Sequence, residues 1–253
     1  MGIYFLDKDI QAAVYAIYGF VRLADEIVDS FHNYDRGKLL EKFKSDTSQA
    51  ISESISVNPI LNSFQQTVHK YRISQDLIHL FFQSMEMDLQ PVNYDKQQYE
   101  KYILGSAEVV GLMCLHVFTE GNSILYEELR ADAMKLGAAF QKVNFLRDMK
   151  EDYQLLGRVY FPDVDLASFT IDVKKRIEED IRQDFDQALR GIRKLPASSK
   201  GGVYLAYIYY YSLFSKIRRL PPQRILAGRI RISNPRKLQL MLNSLMGYKF
   251  KRV

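Results

Sequence analysis

The chain has 253 residues and a formal net charge of +5, with 47% hydrophobic and 26% charged residues. That balance excludes intrinsic disorder, and the length supports a core without staples. A single cysteine, Cys114, excludes an intrachain disulfide and points to a reducing, cytoplasmic setting. The small net charge hides an asymmetry. Residues 1–186 hold all 30 Asp and Glu against 20 Lys and Arg, a net −10, whereas residues 187–253 hold 15 Lys and Arg and no acid, a net +15.

The opening Met1-Gly2-Ile3-Tyr4-Phe5-Leu6-Asp7 has no basic n-region and no long apolar run, so it does not read as a signal peptide. Leu6 stands where a myristoylation signal needs Ser or Thr. The most apolar stretch is read as Val203–Phe214, 12 residues rich in tyrosine, too short to span a bilayer.

Taken in order, the chain reads as helices almost throughout, with no sustained alternating run of the kind strands need. The spacing predicts a first helix over 9–30, capped by Asp9, with Val14, Ile17, Tyr18, Val21 and Val28 on its apolar stripe. A looser helix covers 35–52. Asn58-Pro59 starts another, over 60–71. Ser74 caps the next, which runs to Leu89, and Pro91 and Asn93 break it. Helices are then predicted over 95–118, 124–155, 170–194, 197–219 and 234–247, with a loop at 158–169. No repeat or linker divides the chain, so one all-α domain is expected over 1–253.

Two acidic clusters interrupt this pattern. The first is Arg22-Leu23-Ala24-Asp25-Glu26-Ile27-Val28-Asp29; the second is Gln141-Lys142-Val143-Asn144-Phe145-Leu146-Arg147-Asp148-Met149-Lys150-Glu151-Asp152. Residues four apart share a helix face, so Asp25 and Asp29 project together, as do Asn144, Asp148 and Asp152. Carboxylates stacked this way repel, and burying them is costly unless something compensates. A hard divalent cation does so: Mg²⁺ takes oxygen ligands and shares them with substrate phosphates. Two such faces opposed across a bundle suit a metal–diphosphate unit, the metal polarising the leaving group. The alternative is a pair of solvated helix faces.

These residues carry a resemblance. Ala13-Val14-Tyr15-Ala16-Ile17-Tyr18 leading into Arg22-x-x-Asp25-Glu26-x-x-Asp29 is similar to the first aspartate-rich motif of the squalene/phytoene synthase family. Gln141-x-x-Asn144-x-x-Arg147-Asp148-x-x-x-Asp152, followed by Gly157-Arg158-Val159-Tyr160-Phe161-Pro162, is similar to the second motif and its trailing loop. Tyr102 and Gly105-Ser106-Ala107-Glu108-Val109-Val110-Gly111 resemble the family's small-residue helix beside a prenyl channel.

The resemblance implies a single-domain isoprenoid-synthase-type helical bundle with a central prenyl channel. It also implies a prenyltransferase joining two geranylgeranyl diphosphates to phytoene through a cyclopropylcarbinyl diphosphate. Asp25, Asp29, Asn144, Asp148 and Asp152 would hold Mg²⁺, or Mn²⁺, bridging the diphosphates; Glu26 stands where a second Asp is common. Arg22, Arg147 and Arg158 would contact diphosphate oxygens, for which a guanidinium fork is shaped. Gln141 would sit near the reacting centre, and Tyr102 and Tyr210 near the diphosphates or the carbocation. One of Arg229 and Arg231 would bind diphosphate, and NADPH is not expected for phytoene synthesis. About 20 residues precede Arg22, fewer than the family usually carries, so a missing N-terminal segment is expected. A squalene, dehydrosqualene or hydroxysqualene synthase using farnesyl diphosphate is the alternative reaction. An inactive relative serving assembly or a membrane surface is the alternative class.

Other features stay open at this level. Gly105 and Gly111 read either as tight helix packing or as room for a prenyl chain. Tyr204, Tyr207, Tyr209 and Tyr211 read as core or rim. Of the basic tail, Arg218, Arg219, Arg224, Arg236 and Lys237 read as a solvated face or a patch for a peripheral membrane surface. Nucleic acid is not expected, because no recognised motif accompanies the charge. Cys114 reads as packed, and His32, His69, His79 and His116 lack metal-ligand spacing.

Overall fold

A computed structural model describes residues 2–89, 94–156, 160–162, 164 and 169–232. A 3₁₀ turn, Gly2–Phe5, leads into α1 (Lys8–Asp29), α2 (Arg36–Glu53), α3 (Pro59–Tyr71) and α4 (Gln75–Met87). Then come α5 (Lys96–Ile103), a π turn (Leu104–Glu108), α6 (Val109–Phe118), α7 (Ser123–Leu156), α8 (Ile171–Lys194), α9 (Ala197–Arg218) and α10 (Pro222–Ile225). No strand occurs among the described residues. The all-α expectation holds, and most boundaries fall within two residues of those the periodicity predicts. The helix expected over 234–247, with Arg236 and Lys237, lies outside the described residues, as do Gly157, Arg158 and Val159.

Two expectations about α1 are corrected. Its N-cap is Asp7, whose side chain accepts from the Asp9 backbone N–H; a carboxylate one position outside the first turn reaches that amide, and Asp9 itself is helical. Tyr18 is 59% exposed; the buried stripe runs through Ile10, Val14, Ile17, Phe20, Ala24 and Ile27, and the ring of Phe20 stacks on Phe64 at 3.9 Å.

The segment expected as one helix over 95–118 is α5, the π turn and α6 in succession. The run Lys96–Phe118 is also long and apolar enough to cross a membrane by length and composition. Val203–Phe214 is therefore not the most apolar stretch. Half of the apolar window is buried, and the run packs against α1, α4 and α7, as a core helix does.

Small residues set the approach of these helices. A Cβ on Gly137 would lie 2.4 Å from the Ala107 carbonyl oxygen, and one on Gly105 would lie 2.5 Å from that of Leu80. Gly105 therefore serves tight packing. Gly111 also serves packing, its Cβ position 3.0 Å from the Ala133 carbonyl, and it lines a cavity. The pairs Gly137 with Ala107 and Ala133 with Gly111 fix α6 antiparallel to α7.

Candidate active site

Between α6, α7, α8 and α9 lies an apolar cavity of about 420 Å³. Gln141, Phe140 and Ser106 line one end; Phe118, Leu129 and Leu195 line the other. Cys114 also faces it, its thiol pushed up to about 12 by burial, which makes it packing rather than a nucleophile.

Asn144, Arg147, Asp148 and Asp152 follow Gln141 on α7, so the second acidic cluster continues from the Gln141 end of the cavity. Asn144 Nδ2 donates to Gln141 Oε1 at 3.4 Å, while Asn144 Oδ1 is buried and accepts from no group. Arg147 Nε donates to Asp148 Oδ1 at 2.9 Å. A second guanidinium arrives from the chain after α10: Arg229 Nε is 3.0 Å from the same Asp148 oxygen, and Arg229 Nη1 is 3.4 Å from Glu151 Oε2. The backbone holds this segment in place, with Ile230 N–H donating to the Arg147 carbonyl at 3.4 Å and Lys150 Nζ to the Ala227 carbonyl at 2.9 Å. Arg231 is exposed, and its carbonyl accepts from Lys216 Nζ at 2.6 Å. Of the two arginines left open by the sequence, Arg229 is the one at the acidic face.

The first cluster lies at the end of α1. Val14 lines the cavity, and Asp25, eleven residues on, returns to within about 20° of the same face, about 16 Å along the axis. Asp25 is half-buried, and its carboxyl is pushed up to about 7, first by burial and then by the charge of Asp29. Asp29 and Arg22 are exposed, and Arg22 pairs with Glu26 four residues on.

The aromatic residues divide. Tyr210 on α9 stacks on Phe140 at 4.0 Å, beside Asn144 and Arg147. Burial raises its phenol, so the ring stays neutral. Tyr102 is 4% exposed and does not line the cavity. Its hydroxyl donates to Asp88 Oδ2 at 2.9 Å, and its ring stacks on Tyr160 at 5.3 Å within a cluster that includes Phe145.

Sequence reasoning missed Asp88, which is buried at the end of α4 and carries no local signal. It also missed a buried charge network one residue from Gln141. Lys142 Nζ contacts Asp184 at 2.7 Å and Asp180 at 2.5 Å, and Lys135 contacts Asp184 at 3.0 Å. These partners sit on α8, about forty positions away, where no spacing rule reaches. Among the described residues, no three His, Cys, Asp or Glu side chains converge to hold a metal by themselves.

A model of the squalene/phytoene synthase family matches residues 1–236. Phytoene synthase 2 of Solanum lycopersicum is 24% identical over 259 residues, covering 94% of this chain and 82% of that protein. The 4,4'-diapophytoene synthase of Staphylococcus haemolyticus is 24% identical over 181 residues, covering 71% of this chain and 62% of that protein. The chain spans 57% of the length of phytoene synthase 1 of Zea mays, to which it is 23% identical over 86% of its own length. A dehydrosqualene synthase crystal structure superposes with a TM-score of 0.82 at 20% identity, covering 98% of this chain and 90% of that one. The squalene synthase HpnC of Alicyclobacillus acidocaldarius gives 0.75 at 20% identity over 86% of each chain. The family match takes in both acidic faces and the whole described bundle, and on that extent the chain belongs to the squalene/phytoene synthase family.

Proposed function

We propose that this chain is a prenyltransferase that joins two geranylgeranyl diphosphates head to head to give phytoene. The observation that carries the reading is the placement of two guanidinium groups and an unpartnered amide oxygen beside Asp148, at one end of an apolar cavity. A diphosphate suits the polar end and a hydrocarbon chain suits the rest.

The donor set fits Mg²⁺. Asn144 Oδ1 lacks a partner, and burial together with the charge of Asp29 raises the Asp25 carboxyl despite Arg22 nearby. Among the described residues no three acids converge, so a bound Mg²⁺ would need substrate phosphates to complete its shell. Asp25, Asp29, Asn144, Asp148 and Asp152 would hold it, and bound there it would act as a Lewis acid on the departing diphosphate.

The chain's own groups supply the rest. Arg147 and Arg229 would exchange part of their hold on Asp148 for diphosphate oxygens, since a guanidinium fork matches both. Departure of the first diphosphate leaves an allylic cation, and the second substrate's double bond attacks it with loss of a proton to close a cyclopropylcarbinyl diphosphate. A second ionisation, rearrangement and proton loss give the hydrocarbon. Phe140 lines the cavity and Tyr210, which does not, backs its ring, so the Phe140 ring would stabilise positive charge there without offering a strong nucleophile. The apolar walls keep water from the cations.

The resemblance to a 4,4'-diapophytoene synthase and to a dehydrosqualene synthase supports farnesyl diphosphate as the second reading. The test is product analysis of wild type against folded Asp25→Ala and Asp148→Ala variants, with labelled substrate and Mg²⁺ but no reductant. A C40 hydrocarbon from wild type, lost in both variants, is expected. Equal product from all three would remove the acids from the reaction, and no product from wild type would favour an inactive assembly or membrane-surface factor.

A further inference from the structure

The chain from Leu226 to Ile232 follows α10 and brings Arg229 to Asp148, with no helix or strand of its own. Such a stretch lacks the ladder of backbone bonds that fixes a side chain on a helix, so its position depends on what grips it. Ile230 and Ile232 are each only 6% exposed and anchor its inner side. The Ile230 N–H bond to the Arg147 carbonyl, at 3.4 Å, is long. Two shorter bonds come from lysines. Lys150 Nζ donates to the Ala227 carbonyl at 2.9 Å, and Lys216 Nζ donates to the Arg231 carbonyl at 2.6 Å. Those carbonyls stand two residues before and two residues after Arg229.

The two lysines belong to different walls of the bundle. Lys150 lies on α7, two residues after Asp148, and Lys216 lies in the last turn of α9. That last turn is itself tied to α8. The buried Lys174 Nζ donates to the Arg218 carbonyl at 3.2 Å and pairs with Glu178. The segment is therefore gripped from α7 on one side of Arg229 and from the α8-braced end of α9 on the other. Both grips fall on main-chain carbonyls, so they locate the backbone whatever side chains Ala227 and Arg231 carry. An ammonium on a carbonyl is a charge-assisted bond, stronger than a neutral one.

We propose that Lys150 and Lys216 are positioning residues, which clamp the backbone on either side of Arg229 and so hold its guanidinium at the acidic face for a diphosphate. This rests on the reading of that face as a prenyl diphosphate site. The physical reason is preorganisation. A segment already ordered in the free protein loses no freedom when the ligand arrives, whereas a loose one must be ordered at that moment, and affinity falls by the cost. The lysines act through Arg229 and not on the diphosphate, so their effect exists only while Arg229 is present.

The test is a double-mutant cycle read by calorimetry with farnesyl and geranylgeranyl thiolodiphosphate and Mg²⁺, which needs no turnover. On the tighter of the two analogues, Lys150→Met and Lys216→Met should each weaken binding about three- to tenfold. In an Arg229→Ala background the same changes should weaken it by less than twofold. Equal weakening in both backgrounds would mean direct contact or a general loss of structure, and would overturn the proposal. Lys216→Arg keeps a donor for the Arg231 carbonyl and should bind within about twofold of wild type. Limited trypsin digestion gives a readout independent of the ligand: the cut after Arg229 should be several-fold faster in either Met variant, with circular dichroism showing both folded. Cleavage at the wild-type rate in both would overturn the clamp while leaving the diphosphate reading intact. Binding of neither analogue by folded wild type would overturn both.

Discussion

Arg229 Nε lies 3.0 Å from Asp148 Oδ1, the oxygen that also accepts from Arg147 Nε at 2.9 Å. Residues 81 and 82 positions apart in the chain thus meet on one carboxylate. The basic last quarter of the sequence therefore reaches the acidic body at the candidate site, and one arginine does so rather than its neighbour. Arg229→Ala should raise the KM for prenyl diphosphate at least tenfold, and Arg231→Ala should change it by less than threefold. Steady-state kinetics in detergent separates the two, and equal effects would show that the pairing with Asp148 is incidental.

Metal and diphosphate should bind together. With no three acids convergent among the described residues, Mg²⁺ alone is expected to bind only in the millimolar range, and a prenyl thiolodiphosphate should tighten it by at least tenfold. Linkage requires the metal to tighten the analogue by the same factor. Calorimetry in both orders checks this. Asn144→Ala should weaken the coupling.

The Lys142–Asp184 pair makes a prediction about stability. Lys142 is 8% and Asp184 3% exposed by side chain. Replacing Asp184 leaves the buried Lys142 only the half-exposed Asp180, so Asp184→Leu should cost about 1–3 kcal/mol. The double variant Lys142→Met, Asp184→Leu should recover most of that. Denaturant unfolding measures both, and a double variant as unstable as the single one would contradict the account.

Glu108 in the π turn is raised above its ordinary 4.5, first by burial. A carboxyl whose folded-state pKa lies above its unfolded value contributes stability below the unfolded pKa and loses it as pH rises through the folded one. Glu108→Gln should therefore match wild type near pH 4 and exceed it in melting temperature at pH 8. The same difference at both pH values would contradict the assignment.

Gly137→Ala should destabilise by about 1–3 kcal/mol, because its Cβ meets backbone rather than a flexible side chain. Thermal unfolding checks it.

These residues also show how far the sequence carries. Helices were legible because apolar spacing, Asn58-Pro59 and Ser74 are local signals. Asp25 with Asp29, and Asn144 with Asp148, were legible because helix period places them on one face. The π turn was not, since Leu104–Glu108 has helical composition and its bulge is set by packing on α4 and α7. Tyr102 illustrates a different limit. Its place in a motif could not say that its hydroxyl is bonded to Asp88 and that it does not line the cavity. Lys142 lies inside the second acidic cluster, yet its role depends on α8. The choice between Arg229 and Arg231 rested on where an irregular segment runs, which no periodicity encodes.

The central claim is that two prenyl diphosphates are joined head to head. It is met most directly by mass spectrometry of the products formed from equal geranylgeranyl and farnesyl diphosphate with Mg²⁺ and no reductant. The account predicts a C40 hydrocarbon as the main product, with minor C35 and C30. Free C20 and C15 alcohols with no joined product would contradict it.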